Sequence, residues 1–299
     1  PDPTEIPSPP RAPWGGVGWG EGETEVIITM HRLNNAINSC PADLQLLLLA
    51  AARAALTAGA IIRELYATPH NIRMKGEIDL VTEADVAAES AIIASLDEDA
   101  PGIAIMAEES FQGQADMEQR TWIIDPLDGT TNFAHGIPIF AVSIGLLDKG
   151  RPLAGVIYCP MQDELFCTSR GGGAWLNDRP IRVTGTDFLV QALVATGFPY
   201  DIRKYVDQVL AQTRSVLPKV RDIRRMGAAA VDLAYVACGR LDGFWEAALK
   251  PWDTAAGWLL VEEAGGRVTG FAGQPYTPFR GEILASNSLL HPLLIDALA

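Results

Sequence analysis

The segment WIIDPLDGTTNF, Trp122 to Phe133, ends an apolar run in two aspartates, Asp125 and Asp128, followed at once by Gly129, Thr130 and Thr131. Two carboxylates with the Leu127 carbonyl between them, and neither histidine nor cysteine in the segment, form a hard oxygen donor set suited to Mg²⁺ or Mn²⁺ rather than zinc. Pro126 removes a backbone donor and is expected to stop the strand, turning the chain so that both carboxylates point into one space. Gly129-Thr130-Thr131 offers N–H groups and hydroxyls of the kind that hold an anion at a turn or helix start. Metal ligands beside a phosphate cradle imply phosphate chemistry. The plainer alternative is that both acids only shape a turn, since Asp-Pro and Asp-Gly are common loop dipeptides. Further acids weigh against it: Glu108 and Glu109 after the apolar run GIAIMA, Asp253 at the mouth of a helix, and Asp85 at the start of another. Each of these can also be an N-cap, a capping-box partner or a solvated acid.

The elements that must position these groups can be read from composition and period. PADLQLLLLAAARAALTAGAIIREL has the length and Ala/Leu content of a long helix. Its most apolar part, Leu46 to Ile62, is interrupted by Arg53 and is expected to be buried rather than to span a bilayer. TEADVAAESAIIASLDED is a second helix, with Thr82 as N-cap and Asp85 as its capping-box partner. TWIID, FAVSIGLL, LAGVIYCP and ELFCTSR are short β-rich runs of an antiparallel sheet. After about Val183 the pattern becomes α/β: strands in ALVATGF, DGFWEA and EILAS, and helices at about Tyr200 to Leu217, in GAAAVDLAYVACGR, DTAAGWLLVEEAGG and HPLLIDALA. Two subdomains, 41–185 with most of the candidate metal ligands and 186–299, are expected to share a core and leave a cleft between them. Residues 1–40 are expected to be a flexible or loosely docked extension, with six prolines in Pro1 to Pro13 and Met30 as a candidate internal start.

With 48% hydrophobic and 20% charged residues the composition is that of an ordinary globular protein. A formal net charge of -14 argues against a general nucleic-acid or membrane-surface binder, because both need a basic face. Cys40, Cys159, Cys167 and Cys238 show no CxxC spacing, which points to reduced thiols rather than a zinc or redox site. No signal or anchor pattern is visible, so a cytoplasmic location is the default expectation.

WIIDPLDGTTNFAHG, WDTAAGWLLVEEAGG, DLVTEAD and AEES together resemble the motifs of the inositol monophosphatase family of Mg²⁺-dependent, lithium-sensitive sugar phosphatases, in family order and over roughly Ala42 to the C-terminus. The resemblance implies a layered αβαβα sandwich. It also implies that Glu108, Asp125 and the Leu127 carbonyl hold a first Mg²⁺, and that Asp125, Asp128 and Asp253 hold a second. A third, weaker ion near Glu108, Mn²⁺ as a substitute and Li⁺ as an inhibitor belong to the same picture. Thr130, polarised by Asp85, would orient a water whose proton Glu108 takes, while phosphate rests on the N–H groups of Gly129 and Thr130. Glu246 in FWEAAL and Ala229 in RRMGAAAVD match positions that meet the alcohol half of the substrate. Asp128, Gly129, Thr130 and Asp253 would also contact the substrate. Lys75 is a possible helper of the attacking water, though a surface lysine is the more ordinary reading. Ala107 departs from the family pattern, which more often has Gly before the Glu pair.

Three functions follow from this reading. The first is hydrolysis of myo-inositol monophosphate, with a small phosphorylated polyol or sugar as partner and homodimerisation as the family's implication. The second is the same chemistry on another ester, such as histidinol phosphate or fructose 1,6-bisphosphate, because few side chains read the alcohol. The third belongs to another class, a transcription-associated binding protein.

Overall fold

A computed structural model describes residues 32–66, 73–74, 80–113 and 118–299; Met30 and Lys75 lie outside them. The described end of the N-terminal extension is packed on the body. Helix α1 (Asn34–Ser39) presents its first N–H groups to Asp178, whose Oδ1 accepts from Asn35 and Ala36 at 2.7 and 3.2 Å. Leu33, Ala36 and Cys40 are buried in the first core, and Arg32 reaches Asp163 at 2.9 Å.

Helix α2 (Gln45–Tyr66) runs 22 residues, longer than its apolar stretch suggests and apolar enough by composition to cross a membrane. Its small residues, Ala51, Ala55, Ala58 and Gly59, are instead buried in the first core with α3 (Glu83–Asp99), and Arg53 joins the two helices through Asp99 at 3.1 Å. The α3 start matches its sequence signature: Thr82 Oγ1 accepts from Ala84, and Asp85 Oδ2 accepts from the Thr82 N–H.

Strands β1 (Arg73–Met74) and β2 (Leu80–Val81) form a small antiparallel ribbon. The first large sheet has the order β3 (Ala104–Ala107), β4 (Thr121–Asp128), β5 (Ala141–Asp148), β6 (Arg151–Cys159), β7 (Glu164–Ser169), β8 (Gly173–Leu176) and β9 (Arg179–Pro180). It is antiparallel except that β3 lies parallel to β4. The second sheet has the order β11 (Asp222–Arg224), β10 (Leu193–Thr196), β12 (Gly243–Ala247), β14 (Glu282–Asn287) and β13 (Gly266–Thr269).

These sheets and the helices between and outside them make the αβαβα stack. Helices α2 and α3 cover one face of the first sheet. Helices α6 (Ala229–Ala237) and α7 (Pro251–Glu263) fill the space between the sheets, in a core that draws on both. Helices α5 (Ile202–Val216) and α8 (His291–Leu298) pack against one another on the far face of the second sheet. The closeness of α7 to the first sheet depends on two glycines. A Cβ on Gly145 would lie 2.8 Å from the Ala255 Cβ, and one on Gly155 would lie 2.9 Å from the Ala256 carbonyl oxygen.

His291, fully buried at the start of α8, sits between Thr269 Oγ1 and Ser286 Oγ, each 2.8 Å from a ring nitrogen. Burial, then the Arg267 charge, push its pKa from 6.5 down to about 4. Below pH 6.5 the unfolded chain takes up a proton that the folded chain refuses, so stability is full above 6.5 and is lost as pH falls toward 4. Denaturant titrations should show the wild type losing about 2 kcal/mol more than His291→Gln between pH 7 and 4.5. Equal pH slopes would remove His291 as the cause.

Candidate active site

Strand β4 does not end at Pro126, contrary to the expectation from sequence. It continues to Asp128, and the proline is taken up in a bulge: Asp125 pairs with Ser143 and Asp128 with Ala141. In a regular strand, residues three apart point to opposite faces. The extra residue restores the parity, because Ser143 and Ala141 are two apart and their partners therefore share a face. The Leu127 N–H donates to Asp125 Oδ1 at 3.0 Å across the bulge. Both acids are buried.

The next segment is held as tightly. Gly129, with φ of +98°, caps α4 (Thr130–Ala134) in the left-handed region, and a Cβ there would approach the Ile139 carbonyl at 3.0 Å. Phe133 anchors α4 between the rings of Tyr66 and Phe140, at 5.6 and 5.4 Å between centroids. Asn132 Nδ2 donates to Ile139 and Met226 carbonyls at 2.7 and 2.9 Å, fixing α4 to the chain that leads into α6. Thr130 Oγ1 lies 2.9 Å from Asp85 Oδ1 and 3.1 Å from the Leu127 carbonyl oxygen. Asp85 is fully buried and also accepts from the Thr82 hydroxyl at 2.6 Å, so its carboxylate is fixed from both sides. Donation of the Thr130 hydroxyl hydrogen to Asp85 leaves the Thr130 lone pairs and the Leu127 oxygen available as acceptors.

A cavity of about 440 Å³ opens above these groups. Glu108, Asp125, Leu127, Asp128, Gly129, Thr130, Ala229, Glu246 and Asp253 all line it; Asp85 stands behind Thr130. Glu108 is placed by its backbone N–H on the Ile124 carbonyl and by Glu89, which accepts from the Glu109 N–H at 2.8 Å. Glu109 itself borders a separate shallow pocket with Val81 and Glu89. Asp253 stands in the first turn of α7 and accepts from the Lys250 N–H at 2.7 Å. Asp128 has a second duty, since its Oδ2 accepts from the Ala230 N–H at 2.6 Å and so ties the first sheet to the start of α6.

The buried acids of the cavity oppose one another's ionisation. Burial, followed by the charges of Glu108, Asp128 and Asp253, holds the Asp125 carboxyl well above the usual carboxylate range. Burial raises Asp128 to about 7 despite the N–H groups of α6 that oppose the shift. Glu246 is raised by burial, then by Asp253 and Asp128, with Arg225 opposing. A divalent ion relieves all of these at once, and oxygen-only donors fit Mg²⁺. Among the described residues no three acidic, histidine or cysteine side chains already form a closed cage. Carboxylates together with a peptide carbonyl are donors that suit Mg²⁺, which keeps several of its own waters.

Residues not singled out from sequence also line the cavity, among them Gly197, Phe198, Arg225, Asp232, Lys250 and Trp252. Arg225 lies over the Phe198 ring, 5.3 Å from its centroid. A Cβ on Gly197 would come within 2.0 Å of Glu246 Oε2, so glycine there makes room for the Glu246 carboxyl. Asp232 carried a signal in the sequence, as a lone acid inside the apolar helix AAAVDLAYVA.

A sequence model described as the inositol monophosphatase family matches residues 43–299. An inositol-1-monophosphatase of Synechocystis is 47% identical over 261 residues, covering 87% of this chain and 91% of the relative. The Nus factor SuhB of Escherichia coli is 44% identical over 239 residues, covering 79% of this chain and 90% of that protein. The solved structure of an inositol monophosphatase from Anabaena superposes with a TM-score of 0.79 at 43% identity, covering 86% of this chain and 96% of the other.

Proposed function

Because the chain belongs to the inositol monophosphatase family of phosphatases, we propose that it is a Mg²⁺-dependent phosphomonoesterase that hydrolyses myo-inositol monophosphate to inositol and phosphate. The observation that carries this reading is the convergence of Glu108, Asp125, Asp128 and Asp253 from the first sheet and α7 on one cavity, beside the Thr130–Asp85 pair. In this assignment Glu108, Asp125 and the Leu127 carbonyl would hold one Mg²⁺, and Asp125, Asp128 and Asp253 a second. Bound there, the ions would acidify a water and offset the charge on the phosphate and the departing alkoxide.

The chain's own groups do the rest. Asp85 takes the Thr130 hydroxyl hydrogen, so Thr130 can only accept, which fixes the orientation of a water beside it. Glu108 takes that water's proton as the water oxygen bonds to phosphorus, the ester P–O bond opposite breaks, and the alcohol leaves after taking a proton from solvent. The N–H groups of Gly129 and Thr130 face the phosphate oxygens at a helix start that no side chain caps. Ala229 and Glu246 meet the alcohol half.

Phosphate release from a panel of inositol 1-phosphate, histidinol phosphate and fructose 1,6-bisphosphate tests the assignment. The expected result is preference for the inositol ester, loss of activity with EDTA, and inhibition by Li⁺ in the tens of millimolar; preference for another ester would keep the mechanism and change the substrate. Mn²⁺ is expected to substitute for Mg²⁺. A homodimer in the cytoplasm completes the proposal, and light scattering at the monomer mass would remove the dimer.

A second reading rests on the 44% identity to a protein named a Nus factor. With a net charge of -14 such a role is assigned to contact with a protein partner rather than with nucleic acid.

A further inference from the structure

Helix α3 carries a second buried acid, Glu89, four residues after Asp85 and one turn further along the same face. The two side chains reach different parts of the site. Asp85 accepts from the Thr130 hydroxyl, whereas Glu89 Oε2 accepts at 2.8 Å from the N–H of Glu109, the neighbour of Glu108. Glu108 and Glu109 lie in a single turn that follows β3, closed by the Phe111 N–H on the Ala107 carbonyl at 2.9 Å. The Glu108 N–H meets the Ile124 carbonyl of β4 at 3.1 Å, and Phe111 packs against the small core of Met106, Ile123, Leu147 and Ala255. Glu108 is thus tied to the first sheet by its own N–H and to α3 by the N–H of its neighbour. Burying a carboxyl is costly unless a hydrogen bond meets it, and here the bond goes to the turn that presents Glu108 to the cavity. Glu89 itself stands outside the cavity lining.

Resting on the phosphatase assignment above, we infer that Glu89 is a positioning residue: by holding the Glu109 N–H it sets the Glu108 carboxylate where Glu108 serves the first Mg²⁺ position. Helix α3 then gauges two parts of the site from one face, Thr130 through Asp85 and Glu108 through Glu89. The reach of the Glu89 side chain, rather than its charge, is what the site uses.

Three substitutions separate reach from charge. Glu89→Met is unbranched and of similar length, so it keeps the packing of α3 and removes the acceptor. Glu89→Asp keeps the charge and loses the reach, whereas Glu89→Gln loses the charge and keeps a carbonyl acceptor at the same reach. Titration calorimetry with Mg²⁺ alone, on the full chain without substrate, reads the positioning directly, and thermal melts verify that each variant folds. An unpaired Glu109 N–H should weaken Mg²⁺ binding about tenfold in Glu89→Met and Glu89→Asp, with Glu89→Gln within about threefold of the wild type. On inositol 1-phosphate at saturating Mg²⁺, kcat should fall about 30-fold in the first two variants, with KM changed by less than about threefold. Wild-type affinity in Glu89→Met and Glu89→Asp would overturn the inference. A loss in Glu89→Gln as large as in Glu89→Asp would overturn it too, since the effect would then not follow the hydrogen bond. Should Glu89→Met not fold, Glu89→Asp against Glu89→Gln decides the same point. A wild type that binds Mg²⁺ but releases phosphate from no ester would refute the proposed function and leave the affinities to decide this inference; a wild type that binds no Mg²⁺ would refute both.

Discussion

Asp125→Asn should lower phosphate release by about 10³-fold or more, and at the same time make the metal-free protein more stable. The first effect follows from its place as the carboxylate shared between both proposed metal positions. The second follows from its surroundings. Asp125 is buried, and Glu108, Asp128 and Asp253 act on it with like charge. At neutral pH an unfolded aspartate is ionised freely, whereas the folded one is opposed by burial and by its neighbours, so folding is penalised until a cation arrives. Asparagine removes that penalty at nearly constant shape, which should stabilise the metal-free protein by about 1–3 kcal/mol. Melting temperatures with EDTA and with Mg²⁺ separate the two effects. The wild type should gain stability on adding Mg²⁺, and the variant should start higher and gain less. A variant that starts lower with EDTA would show that Asp125 is held by the fold for its own sake.

The second large effect is expected at a residue outside the cavity lining. A valine at Gly155 would place its Cβ 2.9 Å from the Ala256 carbonyl oxygen and 3.0 Å from the Ala256 Cα. Neither atom belongs to a side chain that can rotate away, so helix α7 must lift from the first sheet. Overpacking of this kind costs about 3 kcal/mol and should lower the melting temperature by about 5–10 °C. Asp253 rides on the first turn of the same helix, three residues before Ala256, so activity should fall in Gly155→Val even at temperatures where the protein is fully folded. A variant of normal activity and lowered melting temperature would show that α7 shifts without carrying Asp253 with it.

The difference between what the sequence discloses and what it conceals follows the range of the interaction involved. The α3 start was legible because a capping box is closed within four residues, and Thr82 and Asp85 carry it alone. The long helix α2 and strands β5, β6 and β7 were legible from composition and run length. Pro126 misled, because a missing N–H stops a strand only where no bulge takes it up, and β4 bulges opposite β5 between Asp125 and Asp128. Short edge strands such as β9 and β11 have two and three residues, too few for a period to register. The motif acids line one cavity, as the family resemblance implies, whereas Asp232, marked in the sequence only as a lone acid in an apolar run, joins the lining through the packing of α6. Gly145 and Gly155 read as ordinary sheet residues until α7 is laid across them.

The placement of α7 between the sheets also orders events in time. Asp125 and Asp128 come to one face as soon as β4 pairs with β5, the next strand in the chain, so that part of the site is available once these neighbouring strands pair. Asp253 arrives only when α7, more than a hundred residues further along the chain, settles on Gly145 and Gly155. During refolding, sheet signal should therefore appear before phosphatase activity, with the regain of activity timing the docking of α7 on the first sheet. The chemistry of this enzyme is in that sense a clock for the last step of its own assembly.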